Sequence, residues 1–153
     1  MKKVNIKTIK RDKSLMSEKR DYFVDKVILH DISKDIDAKD LKLYYAGFRN
    51  GAKTKVHYHE GGQVLVVTKG IGILVLYKTN NTKGSKIRIK TMTKSILKVG
   101  DVAYVPKNTL HWHGAIEKKN FSHIAINSFT RIGKEARTIW YDSDYLSYAM
   151  RIN

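Results

Sequence analysis

Gly51-Ala-Lys-Thr-Lys-Val-His57-Tyr-His59-Glu-Gly-Gly-Gln63 is the stretch on which the fold turns. It is answered later by Gly100-Asp-Val-Ala-Tyr-Val-Pro106-Lys-Asn-Thr-Leu-His111-Trp-His113. His57 and His59 are two apart, so on a β-strand their imidazoles leave the same face. Gln63 follows with an amide, and His111 and His113 repeat the i, i+2 spacing. Four of the six histidines in the chain fall into these two pairs. Imidazole is the commonest protein ligand for divalent transition metals, and His57, His59, Gln63 and His111 offer three nitrogens and one oxygen.

Short runs rich in β-branched and aromatic residues recur along the chain and read as strands. They are Tyr22–His30, Leu41–Phe48, Thr54–His59, Gln63–Lys69, Gly72–Tyr77, Lys86–Thr91, Ser95–Val99, Val102–Val105, His111–Ala115, Phe121–Phe129 and Arg137–Tyr141. Turn signals separate them, among them Asn50-Gly51, Gly61-Gly62, Asn80-Asn81 and Val99-Gly100-Asp101. Short strands at this spacing indicate an all-β sandwich or barrel in a single domain. Asp31 to Asp40 reads as a loop. Residues 1–21 form a basic lead-in, and residues 22–153 carry the domain. Asp142 to Met150 has N-cap chemistry and predicts a short C-terminal helix.

The chain has 153 residues, enough to bury a proper core, and no cysteine. Disulfides, thiolate ligands and cysteine nucleophiles are thereby removed together. No apolar run approaches the length of a bilayer span, which excludes a transmembrane helix. The N-terminus lacks the apolar region of a secretory signal, and the cytoplasm is the expected compartment. The formal net charge is +16. Such an excess attracts anions, but the lysines are spread along the chain without interleaved aromatics. A solvated surface is a better reading than nucleic-acid binding.

The two histidine stretches resemble the two motifs of the cupin superfamily, whose fold is a small jelly-roll β-barrel. Gly51, His57, His59, Gln63 and Gly70 fall on the spacing of the first motif, with Gln63 where the general pattern has Glu. Gly100, Pro106 and His111 fit the second, in which Asn108 replaces a glycine and Ala115 replaces the last Asn. Gly61-Gly62-Gln63, His111-Trp-His-Gly-Ala115 and His123-Ile-Ala125 are similar to pieces of small cupins related to carboxymuconolactone decarboxylase-associated proteins. The tail from Trp140 to Tyr145 resembles their ending too. The resemblance covers residues 22–146 and implies a homodimer, with the lead-in as a segment able to cross to the partner.

In a barrel alternate residues point inward, so His57 and His59 enter the lumen while Tyr58 faces away. His113 shares the parity of His111 and is the candidate general acid or base, with His123 second in line. Lys53, on the parity of His57, is a candidate for pairing with a substrate carboxylate at the pocket mouth. Tyr104 and Trp112 are candidate rim aromatics for substrate binding. With Gln63 in place of Glu the ligand set is neutral and leaves a divalent site at about +2, a stronger Lewis acid with more pull on an anionic substrate. The expected function is a metal-dependent enzyme acting on a small anionic oxygenated molecule by isomerisation or tautomerisation, decarboxylation or dioxygenation. Zn, Mn, Fe, Ni and Co are not distinguished by these ligands. A non-catalytic cupin that binds a metal or small ligand is the alternative reading.

Overall fold

The computed structural model describes residues 1–9, 22–80, 86–131, 134–142 and 148–150. Its strands, in chain order, are β1 (Phe23–Val24), β2 (Val27–Asp31), β3 (Leu41–Phe48), β4 (Lys53–Thr54), β5 (His57–His59), β6 (Gln63–Asn80) and β7 (Lys86–Lys98). They continue with β8 (Val102–Val105), β9 (His111–Ala115), β10 (Phe121–Arg131), β11 (Lys134–Glu135), β12 (Thr138–Trp140) and β13 (Tyr148–Met150). All pair antiparallel, along the path β1-β4-β9-β6-β10-β3-β2, and the sheet nearly closes into the jelly-roll barrel the motifs imply.

Strand β6 is the hub. Its first half, from Gln63 to Gly70, pairs with β10 and, over Gln63–Val66, with β8. Its second half pairs with β9 over Gly72–Leu76 and with β7 from Ile71 onward. Two strands were expected here, and the chain makes one that changes sheets at Gly70. Gly70 has φ of +73, and a Cβ there would collide with the carbonyl oxygen of Asn120, so the corner accepts glycine alone. Two further expected strands likewise merge into β7.

Alternation along β6 and β10 fills the lumen. Gln63, Leu65 and Val67 are buried while Val64 and Val66 are partly exposed, and His123, Ala125 and Asn127 alternate with Ile124 and Ile126. The register sets Asn127 opposite Gln63 and Ala125 opposite Leu65. Phe48, Phe121, Leu74 and Leu97 pack with Leu65 and Val67 in one buried apolar cluster. The ring of Phe121 rests on Gly72, where a Cβ would be 2.5 Å from its carbons. A second apolar cluster, including Val56, Val75, Tyr77, Leu110 and Tyr141, lies behind β5 and β9. Tyr58 and Trp112 pack against it.

Asp31 to Asp40 is not wholly loop. A short helix, α1 (Ile32–Ile36), starts at Asp31, whose side chain accepts from the Lys34 N–H, and buries Ile32. The expected C-terminal helix over 142–150 is corrected at its end. Tyr148–Met150 extends as β13 along β7, with Tyr148 opposite Arg88. The long β7 offers backbone groups that an added strand can satisfy. Residues 143–147 lie outside the described residues. Of the lead-in, residues 10–21 also lie outside them, and Lys2 reaches Asp37 at 3.3 Å. No helix among the described residues is long and apolar enough to cross a membrane.

Candidate metal centre

Four histidines converge in the lumen from β5 and β9. His57 lies opposite His111 in the ladder, with ring centroids 4.2 Å apart. His59 is 5.0 Å from His57 and 5.4 Å from His111, centroid to centroid. Ring nitrogens of His57, His111 and His113 lie within 4.8 Å of one another, a spacing that suits a shared ion.

Each ring is held by its outer nitrogen. His57 Nδ1 is 2.9 Å from the carbonyl oxygen of Lys55, and His111 Nδ1 is 2.8 Å from that of Thr109. A carbonyl only accepts, so both Nδ1 atoms carry the proton and both Nε2 atoms carry a lone pair. His59 Nδ1 meets the Thr138 hydroxyl at 2.8 Å. Trp140 stacks on His57 at 4.3 Å, since β12 pairs with β5 and sets Trp140 beside His57 and Thr138 beside His59.

Burial keeps these imidazoles neutral. It pushes His111 and His123 down to about 4. Burial, then the neighbouring His111, pushes His59 down to about 3. His57 is held well below its ordinary range by burial and then by His111, and His113 by burial and then by His123. A neutral imidazole is the form that binds metal.

The donor set fits a transition ion. His111 Nε2 and Gln63 Oε1 are buried and have no hydrogen-bond partner. Buried polar atoms are seldom left so, and an ion would satisfy both classes of donor. The histidine cluster can therefore hold a metal.

Of the expected ligands, His57 and His111 stand at the centre. Gln63 Nε2 lies 2.9 Å from His59 Nε2 and 2.9 Å from Asn127 Oδ1. His113, expected to move protons, stands among the metal-spaced rings and also meets His123, Nδ1 to Nε2, at 3.2 Å. Phe48 packs on both, 5.6 Å from each ring.

The expected substrate contacts are placed elsewhere. Lys53 sits over Trp112 at 5.4 Å, and Trp112 Nε1 donates to the Tyr77 hydroxyl at 2.8 Å behind the sheet. Tyr104 is 62% exposed on the outer face of β8. None of the three lines the lumen cavity. Lys53 misses because the strand breaks between β4 and β5. Thr54 and His57 both face inward, and the parity carried back from His57 fails across the gap.

The cavity holds about 280 Å³. Its walls include residues that spacing alone did not single out, namely Tyr44, Asn127, Glu135, Thr138 and Trp140. Asn127 had a usable signal, the shared parity with His123. The others depend on register between segments distant in sequence.

A family model described as cupin matches residues 39–132. A cupin-like protein from Thermotoga maritima is similar in structure, with 31% identity over 78% of this chain and 79% of its own, at a TM-score of 0.59. An oxalate decarboxylase of Bacillus subtilis with Mn(II) centres is 16% identical over 75% of this chain, at a TM-score of 0.52, and the match spans 27% of that enzyme. A cupin superfamily protein from Desulfitobacterium hafniense is 14% identical over 68% of this chain and 78% of its own, at a TM-score of 0.50. No curated protein matches in sequence. With the histidine motifs seated in a jelly-roll lumen and the family model covering most of that barrel, the chain belongs to the cupin family.

Proposed function

We propose that this chain is a metal-dependent enzyme that binds a divalent transition ion in its lumen and converts a small oxygenated acid there. The observation that carries the reading is the convergence of neutral, buried imidazoles, with His57 and His111 anchored through Nδ1 so that Nε2 is available as a donor. A bound ion would supply Lewis acidity to a coordinated oxygen.

The protein's own groups do the rest. The cavity, at about 280 Å³, lies near the lower end of the usual range for ligand sites and suits a compact substrate. Leu29, Ala46 and Trp140 provide apolar wall. With the ion held by the other ligands, His113 would exchange a proton with the substrate through Nε2 while its Nδ1 stays hydrogen-bonded to His123 Nε2 at 3.2 Å. Phe48 against both rings keeps water from that pair. With neutral ligands the centre would carry about +2 and draw a carboxylate. Isomerisation or tautomerisation, then decarboxylation, then dioxygenation is the order of preference. Gly61-Gly62-Gln63 and His111–Ala115 support placing the chain near the carboxymuconolactone decarboxylase-associated cupins.

The test is elemental analysis of protein purified without chelator or histidine tag, beside a His57→Ala, His111→Ala variant. Near-stoichiometric metal that the variant loses is expected, and the ion found is then used to screen short hydroxy and keto acids. No uptake by the wild type after exposure to each candidate ion sinks the reading.

A further inference from the structure

Glu135, on β11, is the only carboxylate lining the cavity among the described residues, and nothing in the metal reading uses it. Its Oε1 accepts from Asn127 Nδ2 at 2.8 Å, and its Oε2 faces the Tyr44 hydroxyl at 3.3 Å. Asn127 Oδ1 in turn accepts from Gln63 Nε2 at 2.9 Å, and Gln63 Nε2 reaches His59 Nε2 at 2.9 Å. The chain of bonds ends with His59 Nδ1 on Thr138 Oγ1 at 2.8 Å.

Such a chain has a direction. An ionised carboxylate accepts only, so Asn127 must turn its amino group to Glu135 and its oxygen to Gln63. Gln63 must then turn its amino group to Asn127, which leaves Oε1 as the amide atom with no partner. The same amino group donates to His59 Nε2, so that nitrogen holds a lone pair and Nδ1 holds the proton given to Thr138. Turning either amide over would set oxygen against oxygen or oxygen against a lone pair. Buried mismatches of that kind are costly.

We propose that Glu135 is a positioning residue for the centre, acting through Asn127 and Gln63 to fix Gln63 Oε1 as an oxygen donor and to hold His59 as its Nδ1–H tautomer. The proposal rests on the metal reading for its purpose, while the polarity of the relay can be read without any ion. The new amide in a Glu135→Gln variant could donate as well as accept, so the sense of the relay would no longer be dictated from its end. A carboxylate at position 63, where the general motif has Glu, has no amino group and could not receive this instruction.

The test combines two measurements on wild type, Glu135→Gln and Asn127→Ala, the second cutting the relay one link further in. In metal-free protein, nitrogen NMR of His59 is expected to report one tautomer, Nδ1–H, in the wild type and a mixture in both variants. Titration with Mn²⁺ and Zn²⁺ is expected to show affinity about 10- to 100-fold weaker in each variant, the usual effect of losing an outer partner of a ligand. In a Gln63→Ala background the Glu135→Gln change is expected to have no further effect on affinity. An unaltered His59 tautomer with unaltered affinity overturns the proposal, as does an equal loss in the Gln63→Ala background. Wild type that takes up neither ion overturns the metal reading alone, because the tautomer measurement decides the relay in metal-free protein.

Discussion

His57 and His111 lie directly across one ladder, rings 4.2 Å apart, and each gives its Nδ1 proton to the carbonyl two residues before it in its own chain. The anchors are local, each a carbonyl just ahead of the strand that carries the ring. The convergence of the lone pairs comes from the pairing of β5 with β9.

Metal should therefore stabilise the fold. An ion that binds only the native state adds about 4 kcal/mol at a thousandfold excess over Kd. Thermal unfolding of the wild type is expected to move upward by several degrees on adding the ion found by elemental analysis. The His57→Ala, His111→Ala variant is expected to show no shift.

Acid should unfold the protein and empty the site together. His59, at about 3, and His111 and His123, at about 4, lie below the ordinary histidine value of 6.5. The unfolded chain takes up protons below 6.5 and the native chain does not. Stability is thus full above 6.5 and falls as pH drops toward 4, by up to about 1.4 kcal/mol per pH unit for each such histidine. Denaturant midpoints measured between pH 7 and 4.5 are expected to decline steadily. Metal release and loss of near-ultraviolet signal are expected at the same pH, and release well ahead of unfolding would contradict the depressed values.

Trp140 should report occupancy. It stacks on His57 at 4.3 Å with Tyr22 on it at 4.6 Å, whereas Trp112 packs behind the sheet. A paramagnetic ion is expected to quench emission in Trp112→Phe protein. Quenching should be largely lost in Trp140→Phe protein, whose remaining indole lies on the far face.

Lys53→Ala and Tyr104→Ala should leave metal affinity unchanged within about twofold, because neither side chain lines the cavity. A loss beyond about tenfold in Lys53→Ala would mean that the chain between β4 and β5 is arranged differently, and in Tyr104→Ala that β8 turns this side chain inward. Both can be read in the same titration as the histidine variants.

The barrel and its histidine pairs were legible because they depend on short-range parity. His57, Tyr58 and His59 alternate as a strand requires, and so do His111, Trp112 and His113. Asn108 could replace the motif glycine because its φ is +58, a region that Asn tolerates. What parity could not carry was a break in the strand, and Lys53 lies outside the cavity lining for that reason. Thr138 and Trp140 reach the site through a pairing of β12 with β5 that no local pattern announces. Gly70 lets β6 run through where a turn was expected, and β13 forms on an edge created far upstream.

Gly72 has a reach well beyond its size. It supports the Phe121 ring, which lies 6.0 Å from Phe48, and Phe48 touches both His113 and His123. A methyl group at position 72 would have to displace Phe121, and that push would reach His123 directly and His113 through Phe48. The position behaves as a set-screw on the back of the barrel. Spacing within the lumen can drift or be engineered there without altering one polar atom, and a search for functional residues confined to polar side chains would pass over it.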